Sequence, residues 1–246
     1  MNLNNYLDST YLKTAEQAKI SESENEKIVV NLIQEAIAER FKLVMVRPNY
    51  VALAKKLITD ANSNLDIGTV ISFPEGTNSL ETKIEEAKIA IENGADDLDF
   101  VINYQLFKNG KITEVKKEVF ECTKLGIESN RVVKWIIETA ALTPHEIIKI
   151  CVLIKNVVLA NFKEHSYPSI FIKSSTGFYK TENGEPNGAP IESIVLMLEN
   201  GSPLSIKASG GVKTYAIAAA MIHLGVRRIG TSAAKDIVNG KIATGY

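Results

Sequence analysis

Cysteine and histidine are scarce in this chain of 246 residues, with two of the first and three of the second. Cys122 and Cys151 are too few for a disulfide framework, and both fall in helix-like segments. They read as ordinary buried thiols of a reduced, cytoplasmic protein. His145, His165 and His223 are scattered, without HxH or HExxH spacing, so no metal site and no metal cofactor are expected. Long hydrophobic runs are missing too. No stretch of about 18 uncharged apolar residues is available to span a membrane. The N-terminal MNLNNYLDST lacks the basic-then-apolar order of a secretory signal. Neither sign of charge dominates, since 28 Lys and Arg balance 29 Asp and Glu for a net charge of −1. That leaves no basic field to hold nucleic acid. Composition does not shift along the chain, so residues 1–246 read as a single domain, with a C-terminal tail at 240–246 expected to be mobile.

What is present is alternation. Short apolar runs at 6–10, 42–47, 66–73, 97–103, 131–138, 169–175, 204–209 and 226–231 read as strands. Amphipathic stretches near 24–40, 49–61, 79–93, 111–126, 143–159, 189–200, 213–224 and 232–239 read as helices, with Lys and Glu interspersed as on a solvated face. Thr143-Pro144 with Glu146 predicts a capped helix start. Gly94 and Gly126 are placed as residues just past helix ends. Strand–helix alternation implies right-handed crossovers and a parallel sheet. Eight such units in about 250 residues match a TIM (β/α)8 barrel. A doubly wound open sheet would want a G-x-G-x-x-G after its first strand, and residues 8–13 do not supply one. The polar stretch 179–189 reads as a loop or lid after the sixth strand.

The anomaly lies in three of the strands. Lys134 in VVKWIIE, Lys173 in SIFIKSSTG and Lys207 in LSIKASGG sit in apolar, β-branched runs, where lysine is almost never buried without a reason. One such lysine could snorkel to solvent; three on adjacent strands argue otherwise. Burial and neighbouring ammonium groups both lower an amine pKa, which points to a neutral nucleophile and Schiff-base chemistry. Strand alternation places Lys134 on one face with Ile136 and Glu138, a carboxylate that would join the lysines. It also puts Asp97 and Asp99 on one face of the fourth strand, with Asp99 the deeper and a candidate proton carrier. Two glycine turns, Ser209-Gly210-Gly211 and Gly230-Thr231-Ser232, follow the last two strands and open helices, as a phosphate site would. Lys213 adds a point charge, and Ser175-Thr176-Gly177 adds further donors.

Taken together, LDSTYLK, ISFPEG, NGADDLDFVIN, VVKWIIET, FIKSSTGF, IKASGGVKT and IGTS give the chain a resemblance to the deoxyribose-phosphate aldolase family, class I aldolases of the TIM-barrel type. FIKSSTGF and IKASGGVKT are the specific pair. The resemblance implies reversible cleavage of 2-deoxy-D-ribose 5-phosphate to glyceraldehyde 3-phosphate and acetaldehyde, in deoxyribose phosphate catabolism and without a cofactor. It makes Lys173 the Schiff-base residue, Lys207 the second lysine, Asp99 the acid/base and Lys134 a supporting cation. Gly177, Gly210, Gly211, Gly230, Thr231 and Ser232 fall where the family binds phosphate, and Tyr246 falls where its terminal tyrosine assists proton transfer. Partners are then a small sugar phosphate and an aldehyde. Monomer and homodimer stay open.

Four features depart from the family pattern. Met45 replaces a common cysteine, Lys213 a common arginine, HSYPSIFIK lacks the usual glycine–alanine–aspartate turn, and the 179–189 loop is longer. Two further readings stand beside the leading one: another class I aldolase acting on a different phosphorylated sugar, and a non-catalytic sugar-phosphate-binding barrel.

Overall fold

The computed structural model describes residues 2–182 and 187–241. Eight parallel strands, β1 (Leu7–Thr10), β2 (Leu43–Val46), β3 (Asp66–Ile71), β4 (Asp97–Val101), β5 (Val132–Ile136), β6 (Ile170–Lys173), β7 (Ser205–Ser209) and β8 (Arg228–Thr231), close into a barrel in chain order. The expected TIM barrel is the observed one. Ten helices are described: α1 (Ala15–Ala18), α2 (Glu22–Ala38), α3 (Val51–Asp60), α4 (Leu80–Glu92), α5 (Tyr104–Lys108), α6 (Ile112–Glu128), α7 (Pro144–Asn161), α8 (Ile191–Gly201), α9 (Tyr215–Leu224) and α10 (Ala234–Val238). Only the one-turn α1 and α5 escape the periodicity reading, being too short to show a helical repeat. No described helix is long and apolar enough to cross a membrane.

The helix starts follow from their caps. Thr143 accepts from the Glu146 N–H while Glu146 reaches back to the Thr143 N–H, and Ser21 and Glu24 do the same at α2. Each such cap contributes about 1 kcal/mol. Gly94 does lie past α4, with φ +100°. Gly126 does not lie past α6: it is inside the helix, and Asn130 takes the left-handed position instead. Gly126 is needed for a different reason, because a Cβ there would sit 2.2 Å from Val133 Cγ2 on β5.

Paired residues on neighbouring parallel strands share a face, so the register defines the lumen. Met45 pairs Gly68, Val70 pairs Asp99, Asp99 pairs Lys134, Ile136 pairs Lys173, Lys173 pairs Lys207, and Lys207 pairs Arg228. Gly230 pairs Asp8, which pairs Leu43 and closes the ring. The outward faces, including Phe100 stacked on Trp135 at 5.3 Å, pack under the helices. The lumen is divided. Leu43, Met45 and Val70 form a small apolar cluster with Leu12 on the β2–β3 side, and the ionised groups lie across the lumen from it, interleaved with Ile136 and Phe171. Gly68 makes room for Met45, whose Cε would lie 2.5 Å from an added Cβ.

Gly126→Ala is expected to lower stability by about 1–3 kcal/mol through overpacking against Val133. Chemical denaturation checks it, and an unchanged midpoint would contradict the close approach of α6 to β5.

Candidate active site

Seven ionisable side chains converge from six strands. Asp99 on β4 is fully buried and lies 2.9 Å from each of three lysine amines: Lys134 at Oδ1, Lys173 and Lys207 at Oδ2. Below it, Lys134 also meets Asp97 at 2.5 Å, and Lys207 meets Asp8 at 2.6 Å. Arg228 closes the floor, 2.7 Å from Asp8 and 3.0 Å from Asp97. Four cations therefore face three carboxylates away from water. Among the described residues, Lys134, Lys207 and Arg228 each touch two carboxylates, whereas Lys173 touches only Asp99 and shares that oxygen with Lys207.

This inequality decides which amine is the weakest base. Burial brings Lys173 down to about 8; Asp99 opposes the shift, and Lys207 and Lys134 add to it. Lys134 is equally buried, but Asp97, Asp99 and Asp8 outweigh desolvation and hold it charged above the usual lysine range. Asp99 is treated in the opposite sense, because the three lysines overcome burial and keep it ionised well below the usual carboxylate range. At Asp8, Arg228 and Lys207 overcome burial and bring the carboxyl to about 2.

The expected grouping of Lys134, Lys173, Lys207 and Asp99 is the one observed. Glu138 is the exception. It lies beyond the end of β5 with a left-handed backbone, so its carboxylate leaves the Lys134 face and instead accepts from Thr176. Asp8 and Arg228 were not singled out in the sequence. Their signal was polar residues inside short apolar strands, but alternation cannot say which face of a four-residue strand is the lumen. Lys83 on α4 and Glu118 on α6 also depart from the solvated-face pattern. They form a buried pair at 2.5 Å, with Lys83 also donating to Gly76 and Val101 carbonyls. That pair lies outside the lumen and braces the β3–α4 connection.

Above Lys173 opens a cavity of about 610 Å³. Gly177, Gly210, Gly211, Lys213, Gly230, Thr231 and Ser232 all line it, together with Thr176 and Ser209. The glycine turns do not open helices as expected. Gly210 and Gly211 take φ of +88° and +76°, and α9 begins only after Thr214, whose side chain accepts from the Ile217 N–H. Gly230 and Thr231 are the last residues of β8, and α10 beyond them has five residues. The donors available to an anion are loop and strand-end N–H groups. Gly230 is required where it stands, since a Cβ would lie 2.4 Å from Ser209 Oγ and 3.1 Å from Lys207 Cε. Of the 179–189 loop, Asn187, Gly188 and Ala189 form cavity wall. Tyr246 lies outside the described residues. Both thiols are buried in helices, and burial pushes Cys151 up to about 12, so neither is reactive.

Asp8→Asn removes one negative charge from beneath Lys207 and Arg228. It is expected to lower stability by about 3–5 kcal/mol, the cost of leaving buried cations underpaired. Denaturant unfolding at neutral pH checks this, and a loss below about 1 kcal/mol would mean the floor is effectively solvated.

Similarity to known proteins shows the family. The model of the DeoC/LacD family aldolases matches residues 12–236. A deoxyribose-phosphate aldolase from Thermococcus gammatolerans is 37% identical over 241 residues, covering 98% of this chain and 96% of that protein. One from Streptococcus pneumoniae serotype 2 is 35% identical over 246 residues, covering 100% and 99%. The solved tetrameric deoxyribose phosphate aldolase from Aeropyrum pernix matches with a TM-score of 0.75 at 28% identity, covering 96% of this chain and 89% of that one. The chain belongs to the DeoC/LacD family of aldolases.

Proposed function

We propose that this aldolase reversibly cleaves 2-deoxy-D-ribose 5-phosphate to D-glyceraldehyde 3-phosphate and acetaldehyde, in deoxyribose phosphate catabolism, with Lys173 as the Schiff-base residue. The neutral amine of Lys173 adds to the aldehyde carbon of the open-chain sugar, and loss of water from the carbinolamine gives the iminium ion. Removal of the C3 hydroxyl proton makes the C3 carbonyl and breaks the C2–C3 bond, whose electron pair moves into the enamine on Lys173 because only C2 is conjugated with the iminium. Glyceraldehyde 3-phosphate leaves, the enamine carbon takes a proton, and water releases acetaldehyde.

Asp99 and Lys207 move protons to and from the sugar hydroxyl in this scheme, a role supported by their 2.9 Å contact beside the Lys173 amine. Lys134 supports them by holding Asp99 ionised. The phosphate goes to the rim made by Gly177, Gly210, Gly211, Gly230, Thr231 and Ser232, with Lys213 as the charge; loop N–H groups and a cation suit a phosphate monoester. The observation that carries this reading is the Lys173 amine, lowered to about 8 and opening on that cavity. At pH 7 an amine of pKa about 8 is neutral roughly 300 times more often than one of ordinary pKa. Lys213 supplies a point charge rather than a fork, which affects affinity more than chemistry.

Borohydride added with substrate or acetaldehyde is expected to leave a stable adduct on the peptide containing Lys173, and none in Lys173→Leu. The yield should rise with pH through about 8, because deprotonation supplies the nucleophile. No adduct on the intact protein under turnover conditions would overturn the mechanism. Acetaldehyde as the preferred donor in a panel of aldehydes separates this reading from an aldolase of another sugar.

A further inference from the structure

A buried acid just past the end of β5 takes no part in that scheme. Glu138 follows β5 with φ +56°, a conformation uncommon outside glycine that persists where its surroundings enforce it. Its side chain is turned inward and is 1% exposed. The carboxylate accepts from the Thr176 N–H at 3.2 Å and from the Thr176 hydroxyl. Among the described residues, Glu138 Oε1 is buried without a hydrogen-bond partner. Burial pushes the carboxyl up to about 7, against the Thr176 hydrogen bonds and the charge of Lys173. Tyr104 on α5 is the other titratable group facing it. Burying a carboxylate oxygen without a partner on a left-handed backbone is unfavourable for stability.

That arrangement holds the cavity wall. Thr139, next in the chain, donates its N–H to the Ser174 carbonyl at 2.9 Å, and its hydroxyl lies 3.0 Å from that of Ser175. The Thr139 and Ser175 hydroxyls both reach the Gly188 carbonyl, at 3.2 and 2.8 Å. Gly188 in turn packs against Gly210, and the Ala189 N–H donates to the Gly210 carbonyl at 3.0 Å. The end of β5 thus ties the segment directly after Lys173 to the glycine rim on the far side.

We propose that Glu138 is a positioning residue for the aldolase reaction: through Thr176 it fixes the wall that spans from the Schiff-base lysine to the phosphate-binding glycines. A phosphorylated sugar has to bridge that distance, whereas acetaldehyde reaches only Lys173. The proposal rests on the function given above, and its test separates the two.

The experiment compares wild type, Glu138→Ala and Glu138→Gln in three measurements: kinetics with 2-deoxy-D-ribose 5-phosphate, borohydride trapping with acetaldehyde alone, and thermal unfolding. For Glu138→Ala, kcat/KM is expected to fall roughly 10- to 100-fold, mainly through KM, as for loss of hydrogen bonds to a charged group. Its trapping by acetaldehyde should stay within about threefold of wild type, the effect of a small indirect change. Glu138→Gln keeps an acceptor oxygen for Thr176 and should recover at least half of the loss on a logarithmic scale.

Three results would overturn the proposal: kcat/KM of Glu138→Ala within about twofold of wild type, acetaldehyde trapping that falls as steeply as kcat/KM, or a Gln variant no better than Ala. If Glu138→Ala does not fold, Glu138→Asp withdraws the carboxylate from Thr176 by one methylene while leaving every cavity-lining side chain in place. A several-fold rise in KM with unchanged trapping then supports the proposal, and an unchanged KM overturns it. Wild type that acetaldehyde fails to trap defeats the aldolase mechanism itself, while normal wild-type trapping with an indifferent Glu138→Ala defeats only the role of Glu138.

Discussion

Everything in the barrel lumen depends on one carboxylate serving three amines. Asp99 satisfies Lys134 with one oxygen and divides the other between Lys173 and Lys207. Buried ion pairs are tolerated when charges balance and hydrogen bonds are filled; here the cations exceed the carboxylates by one. The excess falls on the amine with the fewest partners, at the top of the cluster and open to the cavity. Lys173 is thus made nucleophilic by where the counter-charges are not. Asp8 and Asp97 secure Lys134, Lys207 and Arg228 from below, and Lys173, left with Asp99 alone among the described residues, is brought down to about 8.

The division of the lumen has a second consequence. Leu43, Met45 and Val70 line the β2–β3 side with no charge to offer, so the ionic cluster is screened from water on one flank by hydrocarbon. Low local polarity strengthens both the Asp99 contacts and the desolvation of Lys173. Met45 fits there because Gly68 on the neighbouring strand has no side chain. A thiol at this position is therefore not needed to complete the packing of the lumen.

The fold was legible because each strand is a short β-branched run and each main helix an amphipathic one, and a barrel needs little more than eight repeats of that pattern. The reacting cluster was legible in part, because Lys134, Lys173, Lys207 and Asp99 interrupt runs that should be apolar. Asp8 and Arg228 interrupt theirs as well, but their meaning depends on closure of β8 onto β1, a contact between residues 220 positions apart. Gly126 was misplaced because its role is set by Val133 across a helix–strand contact rather than by its own helix. Glu138 was put on the wrong face because alternation was carried past the end of β5, where the backbone turns left-handed. Local rules stop being informative at the point where the strand ends and the active-site loop begins.

The central claim is that charge imbalance in the lumen selects Lys173 as the weakest base. Its most direct test is NMR titration of the protein carrying isotope-labelled lysine, with the Lys173 signal assigned by its loss in Lys173→Leu. The account predicts that Lys173 titrates near 8 while Lys134 stays protonated beyond the ordinary lysine range. A Lys173 signal that titrates at the ordinary lysine value of 10.5, or a Lys134 signal that loses its proton first, would contradict it.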